Sequence, residues 1–251
     1  MTYWQFHVVF TLPLLAFVVW LNRNNRHAFS PNSRFGIGLL TFLAVGYTTP
    51  WDSYLIKEKI WSYYPENILF TIYRIPIEEY FFFIIQTSIG CLLVAFLLSS
   101  QNKNKQNYVL QIGPTQLTLL FFLNTLLFAS WFFLSNNPQY LYLKLIVYWS
   151  LPVLFLQWSL GSRLLLQNKT TLLKGVGLLT VYFCIADSVA LHLQIWFFPE
   201  NTISGVLFFG ILPLEEALFF FVTNIMVVQG YLLFTQLNFR KVTLQWKRPV
   251  A

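Results

Sequence analysis

Long apolar runs separated by short polar connections restrict most strongly what this chain can fold into. A helix needs about 20 mainly apolar residues to cross the roughly 30 Å hydrocarbon core of a bilayer, with about 17 as the lower limit. Seven stretches reach that range, at residues 3–21, 35–51, 76–98, 116–135, 140–160, 172–192 and 212–237. They are continuous runs, unlike the roughly ten-residue alternating strands of a membrane barrel, so each predicts a helix. Only 10% of the residues are charged, against about 25% in an ordinary soluble domain. The expected fold class is all-α: an integral membrane bundle of seven transmembrane helices. An apolar run opens at Tyr3 with no basic leader or small-residue cleavage site before it, so the first segment is expected to persist as a helix.

The connections suggest an orientation. With the N-terminus outside, the cytoplasmic loops hold Arg23, Arg26, Arg34, Lys103, Lys105, Arg163, Lys169 and Lys174, and the C-terminal tail holds Arg240, Lys241, Lys247 and Arg248. That is 12 of the 16 basic residues, leaving Lys57, Lys59, Arg74 and Lys144 outside. The bias predicts insertion in the cytoplasmic membrane with the C-terminus in the cytoplasm. Scattered this way, the net charge of +7 fits membrane orientation better than nucleic-acid binding. Cys91 and Cys184 sit in apolar segments with no partner spacing and read as packing residues. No His/Cys cluster has metal-ligand spacing. Gly36-Ile37-Gly38-Leu39-Leu40-Thr41 misses the dinucleotide fingerprint at its last position, and no Walker-type loop occurs. Neither a metal nor a cofactor is expected.

The chain also repeats itself. Leu12-Pro13-Leu14 with Trp20 resembles Leu151-Pro152-Val153 with Trp158, and Gly36-Ile37-Gly38-Leu39-Leu40-Thr41 matches Gly175-Val176-Gly177-Leu178-Leu179-Thr180 at the same offset of 139. Asp52-Ser53 recurs as Asp187-Ser188, and Pro65-Glu66-Asn67 as Pro199-Glu200-Asn201. The first three helices therefore correspond to the last three. The expected division is a first three-helix repeat at 1–98, a connecting helix at 99–139, a second repeat at 140–239 and a basic tail at 240–251. A shift of four helices preserves direction across the membrane, so the repeats are expected to be parallel.

Within these repeats, Pro76-Ile77-Glu78-Glu79 and Pro213-Leu214-Glu215-Glu216 each run into a phenylalanine cluster, and they hold four of only nine acidic residues. A charge in hydrocarbon costs at least about 2.5–3.5 kcal/mol, so such acids are functional candidates. Pro76 and Pro213 suit a helix start, where a missing amide donor costs least. Glu79 shares a helical stripe with Phe82, Phe83 and Gln86, and Glu216 shares one with Phe219, Phe220 and Thr223. These two acids are expected to face a common cavity, with Glu78 and Glu215 capping the helices or pairing with them. Asp52 and Asp187 are read as ending or interrupting helices two and six, either as interfacial caps or as partners of the glutamates. Glu66, Asn67, Glu200 and Asn201 fit turn chemistry or a supporting role, and His192, without a counterpart, reads as interfacial.

With these motifs the chain resembles the membrane-integral lycopene cyclase domain of the heterodimeric bacterial and fused archaeal or fungal type. The resemblance rests on the doubled Pro-x-Glu-Glu followed by Phe-Phe, at 76–83 and 213–220, and covers nearly the whole chain. It implies closure of the open ends of lycopene to β-ionone rings, giving β-carotene through γ-carotene. Such chemistry needs an acid, a base and a dry cation-tolerant pocket, but no redox cofactor. The resemblance points to Glu78, Glu79, Glu215, Glu216, Asp52 and Asp187 as catalytic candidates, and to Phe82, Phe83, Phe219, Phe220, Gln86 and Thr223 as substrate contacts. Two alternatives stay open: a related ε-type or C50-carotenoid cyclase or hydratase, and a proton-coupled transporter.

Overall fold

A computed structural model describes residues 1–26, 28–100, 108–112, 114–133 and 137–244, with side chains described outside 101–116, 130–136, 200 and 238–251. Of the basic residues used for orientation, Lys103, Lys105, Lys247 and Arg248 lie outside the described residues, as do the side chains of Arg240 and Lys241.

The long helices are α1 (Tyr3–Leu21), α2 (Pro31–Lys57), α3 (Ile77–Ser100), α4 (Pro114–Phe133), α5 (Leu141–Gln167), α6 (Lys169–His192) and α7 (Leu214–Gln236). Five of them, α1, α3, α5, α6 and α7, are long and apolar enough to cross a membrane. Local chemistry sets their ends. Thr2 and Gln5 form a reciprocal capping box on α1, which satisfies two donors that the first turn leaves open. Ser30 accepts from the Ser33 amide ahead of α2, with Pro31 at its first position, where a missing amide proton is harmless.

α2 runs further than the expected 35–51. Asp52 therefore does not end it; it lies inside, and Asp187 likewise lies inside α6. Both helices close with the same motif instead. Ile60 N donates to Leu55 O and Lys59 N to Ile56 O; in the second half Ile195 N donates to Ala190 O and Gln194 N to Leu191 O. Lys59 (φ 55°) and Gln194 (φ 54°) take the left-handed position. This is a Schellman cap built without its usual glycine, which is why its sequence signal is weak.

α3 and α7 form the centre. In their most apolar stretches 72% and 67% of residues are buried, against 22% in α1 and α5. α3 packs on α1, α2, α6 and α7, while α7 packs on α2, α3, α5 and α6; α4 packs on α5. Close approach is set at Gly90, where an added Cβ would lie 2.6 Å from Val227, and at Gly161, where it would lie 2.0 Å from Leu233. The outer faces carry exposed Phe42, Phe121 and Leu173.

Short strands qualify the all-α expectation. Hairpin β2 (Thr71–Ile72) to β3 (Ile75–Pro76) leads into α3, and hairpin β6 (Leu207–Phe208) to β7 (Leu212–Pro213) leads into α7. β1 (Ser62–Tyr63) pairs antiparallel with β5 (Trp196–Phe197) and so joins the two halves. β4 (Tyr108–Ile112) pairs in parallel with β8 (Leu237–Leu244), so the start of the expected basic tail is strand.

Candidate active site

Each hairpin delivers a glutamate pair. Tyr73 and Arg74 both have positive φ and form the whole loop of the first hairpin, matching a two-residue type I′ turn; Phe209 and Gly210 also have positive φ, but Ile211 adds a third residue to the loop of the second. Ile77 N then donates to Phe70 O, and Leu214 N to Val206 O, which fixes the register at which each helix begins. Neighbouring residues on a helix point about 100° apart, and the pairs split accordingly. Glu78 Oε1 accepts from the Leu69 amide and Glu215 Oε1 from the Ser204 amide, both at 2.8 Å. Glu78 and Glu215 thus anchor the loops ahead of the hairpins. Glu79 and Glu216 face inward.

Inward of them lies one cavity, lined by 18 residues. Thirteen are aromatic, four are the carboxylic acids Asp52, Glu79, Asp187 and Glu216, and the last is Thr48. An apolar, largely aromatic cavity with a few convergent polar groups suits a small-molecule site. α2 and α3 supply Asp52 and Glu79; α6 and α7 supply Asp187 and Glu216. Of the expected aromatic contacts, Phe82, Phe83, Phe219 and Phe220 line the wall.

Gln86 and Thr223 do not. Gln86 lies a turn deeper and donates to Asn224 Oδ1 at 3.4 Å, while the Thr223 hydroxyl donates back to Phe219 O. Glu66 and Asn201 are exposed in short 3₁₀ turns away from the wall; the Glu200 side chain is outside the described residues. Asn67 Nδ2 donates to Gln194 O at 2.9 Å and Thr202 Oγ1 to Ile60 O at 3.0 Å, so these turns cross-link the halves. His192 is exposed at the end of α6.

Sequence reasoning missed the groups that hold the acids. Tyr3 Oη donates to Glu79 Oε2 at 2.5 Å and Tyr63 Oη donates to the same oxygen at 2.9 Å. Tyr142 Oη donates to Glu216 Oε1, and Trp196 Nε1 donates to Asp187 Oδ1 at 3.0 Å. Burial, and next the Glu79 carboxyl, raise the Tyr63 pKa well above the usual phenol value, so its O–H remains a donor. Tyr3 and Tyr142 are separated by 139 residues, the offset of the Leu-Pro and glycine repeats, and Trp61 and Trp196 share the offset of Asp52 and Asp187. That spacing was the signal available. His7 carried none, since Ile146 stands at the matching position. It lies in a π turn of α1, His7–Thr11, and stacks on Tyr3 at 5.1 Å. Its Nε2 lies 2.9 Å from Glu78 O; a carbonyl only accepts, so Nε2–H donates there.

Chemically, four carboxyl groups around one apolar cavity cannot all carry charge, so the cluster holds at least one transferable proton. Aromatic rings back it on several sides: Phe219 stacks on Trp51 at 5.7 Å, Phe183 on Phe220 at 5.8 Å, and Tyr3 on Tyr63 at 6.0 Å. Such faces stabilise a passing cation by about 0.5–2 kcal/mol each.

Comparison with known proteins agrees with the motif-based expectation. The chain is 33% identical over 201 residues to a protein of Halobacterium salinarum named lycopene beta-cyclase, covering 79% of this chain and 81% of that protein. It is 37% identical over 213 residues to a bifunctional lycopene cyclase/phytoene synthase of Arthroderma gypseum, and 34% identical over 240 residues to one of Phaeosphaeria nodorum. Those matches cover 77% and 91% of this chain but only 35% and 40% of the two relatives. No protein-family model matches the chain. No solved structure matches it either.

Proposed function

The chain belongs to the lycopene cyclase family, and on that premise we propose that it is a lycopene β-cyclase of carotenoid biosynthesis, closing the ends of a linear carotenoid by acid/base chemistry without a cofactor. The observation that carries the reading is the single aromatic cavity on which four carboxyl groups, two from each half, converge. One carboxylic acid protonates the terminal double bond, the resulting tertiary cation closes the ring, and a carboxylate removes the departing proton. Carboxyl groups that stay ionised nearby stabilise the intermediate cation electrostatically. The aromatic wall excludes water, which would otherwise trap the cation as an alcohol.

A linear C40 polyene is insoluble in water and comparable in length to the roughly 30 Å hydrocarbon core. A membrane location therefore gives the substrate direct access. In this reading the bundle has seven transmembrane helices, with residues 1–98 and 140–239 as parallel repeats and 99–139 as the connector. The matching hairpins, Schellman caps and phenol–glutamate pairs of the two halves support that division. The loop charges support an outside N-terminus and a cytoplasmic C-terminus.

Expression in lycopene-accumulating cells, followed by pigment chromatography, tests the function. β-Carotene with transient γ-carotene is the expected result. Unchanged lycopene from well-folded, membrane-inserted protein refutes it, and an ε-ring or hydroxylated product assigns the chain to another activity of the same family.

A further inference from the structure

The two halves match in backbone and in most of the cavity wall, yet the four carboxyl groups differ sharply in what they receive. Glu79 accepts two phenol O–H bonds on one oxygen. Glu216 accepts one, because Phe198 stands where the first half has Tyr63. Asp187 accepts an indole N–H from Trp196. Asp52 is 1% exposed, lines the cavity, and neither of its oxygens has a hydrogen-bond partner among the described residues. Trp61, the counterpart of Trp196, makes no bond to it.

From this asymmetry we propose that Asp52 is the acid that starts cyclisation and Glu79 is the base that ends it. The assignment rests on the cyclase reading above. An unpartnered buried carboxylate is costly, whereas an unpartnered carboxylic acid is a neutral group with a proton free to leave. A carboxyl oxygen receiving two O–H bonds is held in the form that accepts charge. The Asp52 O–H bond breaks and its proton bonds to the methine carbon of the terminal double bond. The tertiary cation left on the neighbouring carbon is attacked by the internal double bond, forming the ring C–C bond. The ring cation then loses a proton to Glu79, and the electrons of that C–H bond become the ring double bond. Asp52 ends as a carboxylate and Glu79 as an acid; return of one proton from Glu79 to Asp52 resets the site, with no oxidant or co-reactant needed.

The test uses the whole protein in lycopene-loaded liposomes under single-turnover conditions. Asp52→Asn is expected to lose at least about 100-fold in cyclisation, within the range for removing a general acid, while Asp187→Asn loses about tenfold or less. Lycopene binding, read as quenching of tryptophan emission from a wall that holds Trp51, Trp61 and Trp196, should persist in both. If Asp52→Asn does not fold, the isosteric pair Asp52→Glu and Asp52→Gln replaces it; the Glu variant keeps a transferable proton and should be at least about tenfold faster than Gln. Asp52→Asn that binds lycopene and cyclises within tenfold of wild type overturns the assignment. So does an equal loss in Asp187→Asn, or equal rates for the Glu and Gln variants. Wild-type protein that leaves lycopene untouched overturns the cyclase reading itself.

Discussion

Tyr142→Phe removes one oxygen atom and with it the single hydrogen bond that Glu216 receives among the described residues. The ring keeps its place, because Tyr142 is fully buried and packs on Trp61 at 5.4 Å and on Phe198 at 6.0 Å. The loss is therefore electrostatic and positional and leaves packing intact. A hydrogen bond to a charged group contributes about 1.5–3 kcal/mol, and about 1.36 kcal/mol corresponds to a factor of ten in rate. If Glu216 stabilises the cation, kcat should fall about 10- to 150-fold. KM should change little, since lycopene itself is uncharged. Tyr63→Phe is the internal control: Glu79 keeps the 2.5 Å bond from Tyr3, so the loss should stay under about tenfold. Single-turnover cyclisation in liposomes, with pigments separated by chromatography, reads both, and thermal melting in detergent checks the fold. A folded Tyr142→Phe protein with kcat within twofold of wild type would refute the reasoning, as would a larger loss in Tyr63→Phe than in Tyr142→Phe.

Glu79→Gln is expected to lower cyclisation about 100- to 10,000-fold, the range for an acid–base group. Glu78→Gln keeps an acceptor for the Leu69 amide and should lose far less; equal losses in a pigment assay would contradict the split between them. Arg74→Gly should raise the melting temperature, because Arg74 holds φ 73° where the second half has Gly210 at φ 70°. A left-handed non-glycine residue costs about 1–2 kcal/mol, part of which the greater chain entropy of glycine offsets. An unchanged or lower melting point would count against that turn geometry. Thr202→Val removes the hydroxyl that bonds Ile60 O at 3.0 Å across the two halves and should destabilise by about 1 kcal/mol, readable as a lowered melting temperature at unchanged helix content.

Much of the fold was legible because membrane helices must be long and apolar, and composition records that directly. The duplicated acidic motif was legible for the same reason: acids are rare enough here for two matched pairs to stand out. Helix ends were harder. α2 and α6 end on Schellman caps with Lys59 and Gln194 at the positive-φ position, so no glycine marks the stop, and the expected end of the second segment at residue 51 falls short of the observed one at Lys57. The hairpins are two residues per strand, too short for any alternation to register. The split of roles within Glu78-Glu79 could be argued only from the neighbours each stripe would meet, whereas the structure decides it through the Leu69 and Ser204 amides. The phenol donors were hidden by distance: Tyr3 lies 76 residues from Glu79, and only the repeat offset links it to Tyr142.

A duplicated fold poses a chemical difficulty that these residues resolve. An acid and a base working at one pH need different surroundings, but a faithful repeat would surround the two aspartates alike and the two glutamates alike. The backbone repeat is kept where position matters, at the hairpins and the carboxyl-bearing turns of α3 and α7. Divergence falls on side chains that line the same cavity as the acids. Tyr63 faces Phe198, Trp196 bonds its aspartate where Trp61 does not, and Thr48 stands opposite Phe183 on the same wall. Each change alters the donors or the polarity of the shared wall. On the proposed assignment of Asp52 and Glu79, the repeat brings the carboxyl groups together, and a handful of differing wall side chains makes them unequal enough to pass a proton in one direction.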